Sequence, residues 1–200
     1  LSSTAEWKKN VLHFVGGDDE VLNARLKQFM DGYTTTITDT LFGAQVKTFM
    51  KNSSAPILTE ISDTIRRTID AGCSLMNFFG HGSEQGFDQA IDEPSFYNNA
   101  GRYPVIIANS CYSGNIFVNK SISVSERFVN AKRLGSIAFI ATTSYGFDAG
   151  LDNFTRGFYK ALAQTHYGKL LGEVMQEAAR LNSLAGDQTT PIVGMEIDRK

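Results

Sequence analysis

The hydrophobic pattern of the chain alternates between short apolar runs and longer amphipathic stretches, which predicts strands that alternate with helices. The apolar or β-branched runs predict five strands, at Val11–Val15, Thr34–Phe42, Ser74–Phe79, Val105–Ala108 and Ser136–Ala141. The amphipathic stretches predict a helix that begins after Asp18-Asp19 and ends near Met30, and further helices at 57–71, 123–134, 153–164 and 169–184. The last residues, Gly186–Lys200, are interpreted as a tail or an extra edge strand.

Local signals support two of these helices. Isoleucine recurs at every fourth position from Ile57 to Ile69, which marks one face of a helix, and Gly72 ends it. The sequence Ser-Val-Ser-Glu at residues 123–126 is a capping-box pattern, which satisfies free amides at the start of a helix. Because strands alternate with helices, we expect an α/β fold with a mostly parallel sheet, helices on both faces and right-handed crossovers.

Size and composition narrow the class of protein. The chain has 200 residues, which suits a single domain over residues 1–200. Its net charge of −2, without any run of Lys or Arg, argues against nucleic-acid binding. No apolar stretch approaches the roughly 18 residues of a membrane-spanning helix. The chain begins with Leu1 and shows no signal-peptide pattern, so we expect it to be a segment of a longer protein.

A histidine and a cysteine directly follow the third and fourth predicted strands. His81 lies within Gly-His-Gly-Ser-Glu at residues 80–84, and Cys111 lies within Asn-Ser-Cys-Tyr-Ser-Gly at residues 109–114. Open α/β sheets carry their sites at the carboxyl ends of the strands, so we expect these two side chains to meet there. A thiol beside an imidazole base is the arrangement of a cysteine nucleophile. A backbone amide next to Gly82 could then donate to an oxyanion.

The same residues allow simpler interpretations. Cysteine is among the most buried residue types, so Cys111 could be a core residue, and His81 could be a structural histidine. The turn-forming sequence after the cysteine and its pairing with the histidine favour the functional interpretation. A Gly-x-Gly after the third strand could indicate a phosphate site, but the third glycine is missing and Glu84 would repel phosphate. Ser110 and Ser113 lack the Gly-x-Ser-x-Gly elbow of a serine hydrolase.

The remaining cysteine and histidines are predicted to be structural. Cys73 lies between a helix end and a strand, where a small buried thiol is common. His13 lies inside the first strand and His166 near the end of a predicted helix, so both are expected in packing or surface positions. Two cysteines are too few for a disulfide scaffold and form no Cys-x-x-Cys zinc pattern, so no metal site is predicted.

Taken together, the two motifs resemble those of the gingipain family (C25-type) of cysteine peptidases, within the caspase-like clan. The family's strand followed by Gly-His-Gly-Ser-Glu is matched by residues 80–84, and its proline-led strand ending in cysteine is matched by residues 104–111. The resemblance extends from about Trp7 to Phe147 and includes the Gly-Gly after the first strand. It implies a caspase-like, three-layer α/β/α sandwich with a mostly parallel sheet.

The resemblance also implies roles for individual residues. Cys111 would be the nucleophile of an endopeptidase that cleaves polypeptides through an acyl-thioester, with His81 as general base and acid. The amides of Gly82 and Cys111 would form the oxyanion hole. Tyr145 and Phe147 would line the pocket for the side chain that precedes the scissile bond. The family requires no cofactor, although a structural calcium ion is compatible with it, and its members are secreted or cell-surface bacterial proteins.

One position departs from the family pattern. Gingipains have a glutamate directly before the Gly-Gly of the first strand, which orients the histidine, whereas this chain has Val15. Either the enzyme uses a Cys–His dyad, or Asp18 or Asp19 reaches the histidine, or the domain is a catalytically impaired interaction module. The loop between Gly17 and Val21 is also too short for the family's specificity carboxylate, so arginine or lysine specificity is not implied. A sortase-like transpeptidase is a further alternative within the family.

Overall fold

The computed structural model describes residues 3–51, 59–88, 91, 93–118, 121–184 and 195–199. Within these residues the strands are β1 (Asn10–Gly16), β2 (Gln45–Met50), β3 (Leu75–Gly80), β4 (Gly82–Ser83), β5 (Gly86–Phe87), β6 (Val105–Asn109), β7 (Ala138–Thr142) and β8 (Met195–Arg199). The α-helices are α1 (Glu20–Thr38), α2 (Thr59–Ala71), α3 (Val124–Asn130), α4 (Asp148–Lys160) and α5 (Leu171–Leu184). A π-helical turn, Ala161–Thr165, extends α4, and short 3-10 helices cover Ser3–Lys9 and Pro94–Phe96.

Six strands form one sheet in the order β2-β1-β3-β6-β7-β8. The first five are parallel, and β8 runs antiparallel to β7. Parallel strands need long crossover connections, and α1, α2 and α3 lie in the connections from β1 to β2, from β2 to β3 and from β6 to β7. The predicted, mostly parallel sheet is confirmed. The stretch 186–200 was interpreted as a tail or an extra edge strand, and residues 195–199 form such a strand. Residues 186–194 and 200 lie outside the described residues.

Side chains alternate between the two faces of the sheet, so each central strand contributes to two cores. One core packs alternate residues of β1 and β3, such as Val15 and Phe79, against α1, α4 and α5. The other packs the intervening residues, such as Leu12 and Phe78, against α2 and α3. This arrangement confirms the three-layer α/β/α sandwich that the resemblance implies. Its carboxyl edge carries the loops that follow β1, β3 and β6.

A row of buried polar side chains crosses the face of the sheet that packs on α1 and α4. His13 on β1, Asn77 on β3 and Asn109 on β6 lie on neighbouring strands and are fully buried. The Tyr159 hydroxyl lies 2.7 Å from His13 Nε2 and accepts from Asn77 Nδ2 at 3.1 Å. Asn109 Nδ2 donates to Asn77 Oδ1 at 2.9 Å, and Thr155 Oγ1 donates to Asn109 Oδ1 at 2.8 Å. The row therefore satisfies its polar groups and ties α4 to the sheet.

The predicted strand Thr34–Phe42 is wrong, because most of these residues continue α1. Their threonine-rich alternation resembles a strand, yet Tyr33 and Ile37 lie four residues apart on the buried face of the helix. The threonine hydroxyls donate to carbonyls one helical turn earlier, as Thr34 Oγ1 does to Met30 O at 2.9 Å. The second strand is instead β2, which lies in a stretch to which the sequence pattern assigned no element.

The other predicted elements are confirmed with shifted ends. β1, β3, β6 and β7 begin and end within two residues of the predicted strands, and α4 begins earlier than predicted. In α2, Ile65 and Ile69 are buried on one face, while Ile57 lies outside the described residues. The capping box of α3 is present. Ser123 Oγ accepts from the Glu126 amide at 3.3 Å, and the Glu126 carboxylate accepts from the Ser123 amide at 2.8 Å.

Candidate active site

The carboxyl edge of the sheet carries both candidate catalytic residues. β3 and β6 are parallel neighbours, and Phe79 pairs with Asn109 in their register. His81 and Cys111 each stand two residues beyond that pair, so they leave the sheet side by side. Their catalytic roles stay predictions, but their placement meets the first requirement of a Cys–His pair.

Gly82 lies against the residue before Cys111. A Cβ atom at Gly82 would stand 2.9 Å from both Cβ and Oγ of Ser110, which is closer than such atoms approach in folded proteins. Because glycine has no Cβ, the Gly-His-Gly segment packs directly on the loop that carries the cysteine. The structure therefore brings His81, Gly82 and Cys111 to one place.

The backbone of His81 is held from two sides. Its N–H donates to the carbonyl of Gly16 at the end of β1 (3.2 Å), and its carbonyl accepts from the N–H of Asp88 (3.1 Å). Gly80 approaches β1 so closely that a Cβ atom there would overlap the Gly16 carbonyl. The His81 side chain itself is 54% exposed, so a substrate can reach it.

A carboxylate stands beside the imidazole of His81. Nε2 lies 3.2 Å from Oδ2 of Asp18, in the loop between β1 and α1. Asp19 has a different role, because its Oδ1 accepts from the Leu22 amide at 2.8 Å and caps α1. Val15 is fully buried and belongs to the core beneath this edge. Of the two acids that the sequence singled out, Asp18 is the one that contacts the ring.

Two further charged residues at this edge were missed by the sequence analysis. Nζ of Lys51, just after β2, lies 3.7 Å from Oδ1 of Asp18 and also forms an ion pair with Asp88. Neither Lys51 nor Asp88 belongs to a recognisable motif. Only the packing of loops from different strands brings them to the site.

The sulfur of Cys111 lies against the loop that follows β7. Sγ accepts from the Gly146 N–H at 3.4 Å and lies 3.8 Å from the carbonyl oxygen of the same residue. Cys111 is half-buried, whereas Cys73 is fully buried, and this burial raises the pKa of the Cys73 thiol to about 12. A reactive thiol needs access and a thiolate form, so Cys111 is the candidate nucleophile and Cys73 a core residue.

The turn after Cys111 is fixed by backbone hydrogen bonds. Tyr112 has a φ of 56°, a left-handed conformation that is strained for a bulky residue. Its N–H donates to Ser144 O at 2.9 Å, and the Gly114 N–H donates to Thr142 O at 2.9 Å. These bonds tie the turn to the end of β7 and compensate for the strain. The position of Cys111 is therefore set before a substrate arrives.

Two aromatic residues flank the backbone that contacts the sulfur. Tyr145 and Phe147 stand on either side of Gly146, and both side chains are exposed. The rings of Tyr145 and Tyr112 meet edge to face, with centroids 4.8 Å apart. Burial and contact with Tyr145 raise the pKa of the Tyr112 phenol above its usual value. The residues predicted to contact substrate thus lie on the loop beside Cys111 and offer apolar surface.

The serines on either side of Cys111 have structural contacts. Ser110 Oγ donates to Ser113 Oγ at 2.8 Å, and both residues are buried. The Ser110 carbonyl accepts from Thr142 Oγ1 at 2.7 Å. These contacts agree with the sequence argument against a serine nucleophile.

The other two histidines lie away from this edge. His13 is part of the buried polar row, and burial lowers its pKa to about 3, so its ring is neutral near pH 7. His166 follows the π-helical turn, where Nδ1 lies 3.2 Å from Thr165 Oγ1. The packing and surface positions expected of these two residues agree with the structure.

Neither a cluster of metal ligands nor a membrane-spanning helix occurs among the residues that the structure describes. There, no group of three or more His, Cys, Asp or Glu side chains is arranged to hold a metal ion. No helix within the described ranges combines the length and apolar character needed to cross a membrane.

Comparisons with known proteins identify relatives of the chain. The sequence matches the profile of Peptidase family C25 over residues 1–193. A search of curated proteins finds no match.

Solved protease structures share the fold. The crystal structure of the Arg-specific cysteine proteinase gingipain R (RgpB) aligns at 16% identity with a TM-score of 0.67, covering 94% of this chain and 45% of that chain. The complex of Porphyromonas gingivalis RgpB pro- and mature domains aligns at 16% identity with a TM-score of 0.68, covering 94% of this chain and 46% of that chain. A structure described as a protease aligns at 16% identity with a TM-score of 0.73, covering 98% of this chain and 48% of that chain. This chain thus spans less than half the length of each.

Proposed function

The chain belongs to peptidase family C25, and on that basis we propose that it is a cysteine endopeptidase that hydrolyses peptide bonds through an acyl-thioester on Cys111. The observation that carries the proposal is the grouping of Cys111, His81 and Asp18 at one sheet edge, with Asp18 Oδ2 3.2 Å from His81 Nε2. An accessible thiol, an imidazole and a carboxylate are the groups that nucleophilic catalysis by cysteine requires.

In the proposed acylation step, His81 acts as the general base. Its Nε2–H donates to Asp18, which leaves Nδ1 to accept the proton of the Cys111 thiol. The thiolate attacks the carbonyl carbon of the scissile bond, and the carbonyl electron pair moves onto oxygen. The amides of Gly82 and Cys111 stabilise this oxyanion. His81 then gives its proton to the departing amine, the C–N bond breaks, and an acyl-thioester remains.

In the deacylation step, water takes the place of the departed amine. His81 removes a proton from the water, whose oxygen attacks the thioester carbon. The C–S bond breaks, the carboxylic acid leaves, and the proton on His81 returns to the Cys111 sulfur. Asp18 stabilises the imidazolium in both steps and supplies the function that the residue at the position of Val15 has in gingipains.

The contact between Asp18 and His81 favours the enzyme over the alternative of a catalytically impaired interaction module. An impaired module would have no need of a carboxylate aligned with the histidine. A transpeptidase would differ only in the last step, where an amine instead of water would attack the thioester, and none of the described contacts favours an amine.

The substrate in this proposal is a polypeptide whose side chain before the scissile bond packs against Tyr145 and Phe147. Asp148, the next residue, is engaged by Arg25 at 2.9 Å, so exposed aromatic faces dominate the loop beside Cys111. The proposal therefore assigns an apolar or aromatic preference at this position, unlike the Arg specificity named for gingipain R. The family resemblance supports a location outside the cytoplasm of a bacterial cell, either secreted or at the cell surface.

Peptidyl chloromethyl ketones test both parts of the proposal, because they alkylate an active-site cysteine after binding as substrates do. Wild type and the matched control Cys73→Ala should be labelled at Cys111, and a reagent ending in Phe should react at least about tenfold faster than one ending in Arg. Cys111→Ala should lose both the label and peptide hydrolysis. Mass spectrometry locates the label. Labelling of Cys73 alone, or hydrolysis that survives Cys111→Ala, would contradict the assignment.

A further inference from the structure

Four residues from the three segments that follow β1, β2 and β3 form a closed ring of contacts beside the imidazole. The His81 ring contacts Asp18 Oδ2 at 3.2 Å, and Asp18 Oδ1 lies 3.7 Å from Lys51 Nζ. Lys51 forms an ion pair with Asp88, and the Asp88 N–H donates to the His81 carbonyl at 3.1 Å. From this ring we infer that Lys51, anchored by Asp88, is a positioning residue that holds the Asp18 carboxylate toward His81. The inference rests on the proposed function of His81.

Asp18 needs such a partner because its own surroundings hold it weakly. It follows two glycines in the loop after β1, and its side chain is 64% exposed. An exposed carboxylate with one ion-pair partner gains too little free energy to fix one rotamer against solvent. Because Lys51 contacts Oδ1 and His81 contacts Oδ2, the two partners fix both ends of the carboxylate at once.

Lys51 is suited to this task because its backbone is fixed. Its N–H donates to the Val15 carbonyl at 2.8 Å, which continues the pairing of β2 with β1 beyond Met50. Its side chain is only 27% exposed, unusually covered for a lysine at a loop. Asp88 draws the ammonium toward the segment that carries His81. The lysine therefore links the loops that follow β1, β2 and β3.

The test compares Lys51→Met with Lys51→Arg, which keeps the charge. Lys27→Met is the matched control, because it breaks the exposed ion pair between Lys27 and Asp31 within α1. Single-turnover acylation should fall about tenfold in Lys51→Met, a part of the 10²–10⁴ that general acid–base assistance supplies. Lys51→Arg should recover most of that loss. Lys27→Met should behave as wild type, and melting temperatures identify any variant that fails to fold.

A second readout is independent of peptidase activity. In a Cys111→Ala background, NMR follows the imidazole signals of His81 as the pH changes. Asp18→Asn should lower the midpoint of this titration, and the drop should be smaller in Lys51→Met than in the parent, because a carboxylate that Lys51 no longer holds favours the imidazolium less. In Lys27→Met the drop should match that of the parent.

The outcomes separate the two proposals. If Lys51→Met acylates at the wild-type rate and Asp18→Asn lowers the titration midpoint equally in Lys51→Met and in the parent, Lys51 has no positioning role. Equal loss of acylation in Lys51→Met and Lys51→Arg, with an unchanged effect of Asp18→Asn on the midpoint, would also overturn the inference, because it would indicate a merely structural contact. If wild type forms no acyl-enzyme while the effect of Asp18→Asn on the midpoint is still smaller in Lys51→Met, the peptidase proposal fails and the action of Lys51 on the Asp18–His81 pair stands.

Discussion

At the scale of single residues, the carboxylate beside His81 determines how well the imidazole can serve as a base. Asp18→Asn keeps the size of the side chain but removes the counter-ion of the imidazolium, so single-turnover acylation should fall by about 10- to 100-fold. Asp19→Asn is the control, because asparagine is as good an N-cap as aspartate. Rapid-quench measurement of acyl-enzyme formation at pH 7 compares the two. Acylation by Asp18→Asn at the wild-type rate would mean that the enzyme works as a Cys–His dyad.

The same residues show how far sequence analysis reaches at this scale. His81 and Cys111 were predictable because each follows a strongly apolar strand in a glycine-containing turn. The choice between Asp18 and Asp19 was not predictable, because either of two adjacent acids before a helix can cap it. The structure shows that Asp19 caps α1, which leaves the Asp18 carboxylate available to contact His81. The role inferred for Lys51 depends on where the end of β2 packs, which local sequence does not encode.

At the scale of elements, the segment that leaves β3 must approach the segment that leaves β6 without a side chain between them. Gly82→Ala would place a Cβ atom 2.9 Å from Ser110, so one of the two loops must shift. Small displacements of reacting groups cost up to about 10²-fold in rate, and we expect a loss of about 10- to 100-fold in acylation with little change in melting temperature.

The double variant Gly82→Ala/Ser110→Gly provides the matching control for this clash. Removing the Ser110 side chain makes room for the added methyl group, so the double variant should acylate faster than Gly82→Ala alone. A double-mutant cycle of acylation rates measures this coupling. Additive losses from the two substitutions would mean that the close contact between the loops is unimportant for catalysis.

The error over α1 and β2 also belongs to this scale. Threonine and isoleucine favour strands because of their branched Cβ, and a short run with period two looks like an edge strand. Burial of Tyr33 and Ile37 against the sheet outweighed this preference and kept the segment helical. The sequence did not predict β2, because Phe49 is its single buried residue and the hydrophobic pattern of the strand is therefore weak.

At the scale of the whole molecule, the buried polar row makes stability depend on pH. His13 has a pKa of about 3 in the folded chain, against 6.5 as its ordinary value, because burial disfavours the charged ring. Between these values the unfolded chain binds more protons than the folded one. The free energy of unfolding should therefore fall as the pH falls from 6.5 toward 3, by about 1.4 kcal/mol per pH unit, and this contribution is fully present above pH 6.5.

Urea unfolding at pH 7, 5.5 and 4 checks this expectation. Carboxylates titrate in the same range, so the useful quantity is the difference in slope between variants. His13→Gln should lower stability at pH 7 and show a shallower decline toward pH 4. His166→Gln, which removes a histidine outside the core, is the control. A common slope for all three proteins would exclude His13 as the source.

The fold class could be predicted because strands and helices alternate along the chain, and a parallel sheet buried on both faces is the usual way to pack such units. The antiparallel direction of β8 could not be predicted from the sequence, because α4 and α5 lie between β7 and β8 and leave the direction of β8 open.

The end position of β2 in the sheet has a consequence for solubility. A terminal strand presents backbone N–H and C=O groups that a strand of another chain could pair with, which is a common start of aggregation. On β2 the exposed residues Gln45, Lys47 and Thr48 are polar, and the Lys47 ammonium lies over the Phe49 ring at 4.9 Å, where it covers the large apolar side chain. A charge at this place disfavours the approach of a second, identical edge, because two lysines would meet. The sheet therefore ends in a strand that resists joining chains into fibrils.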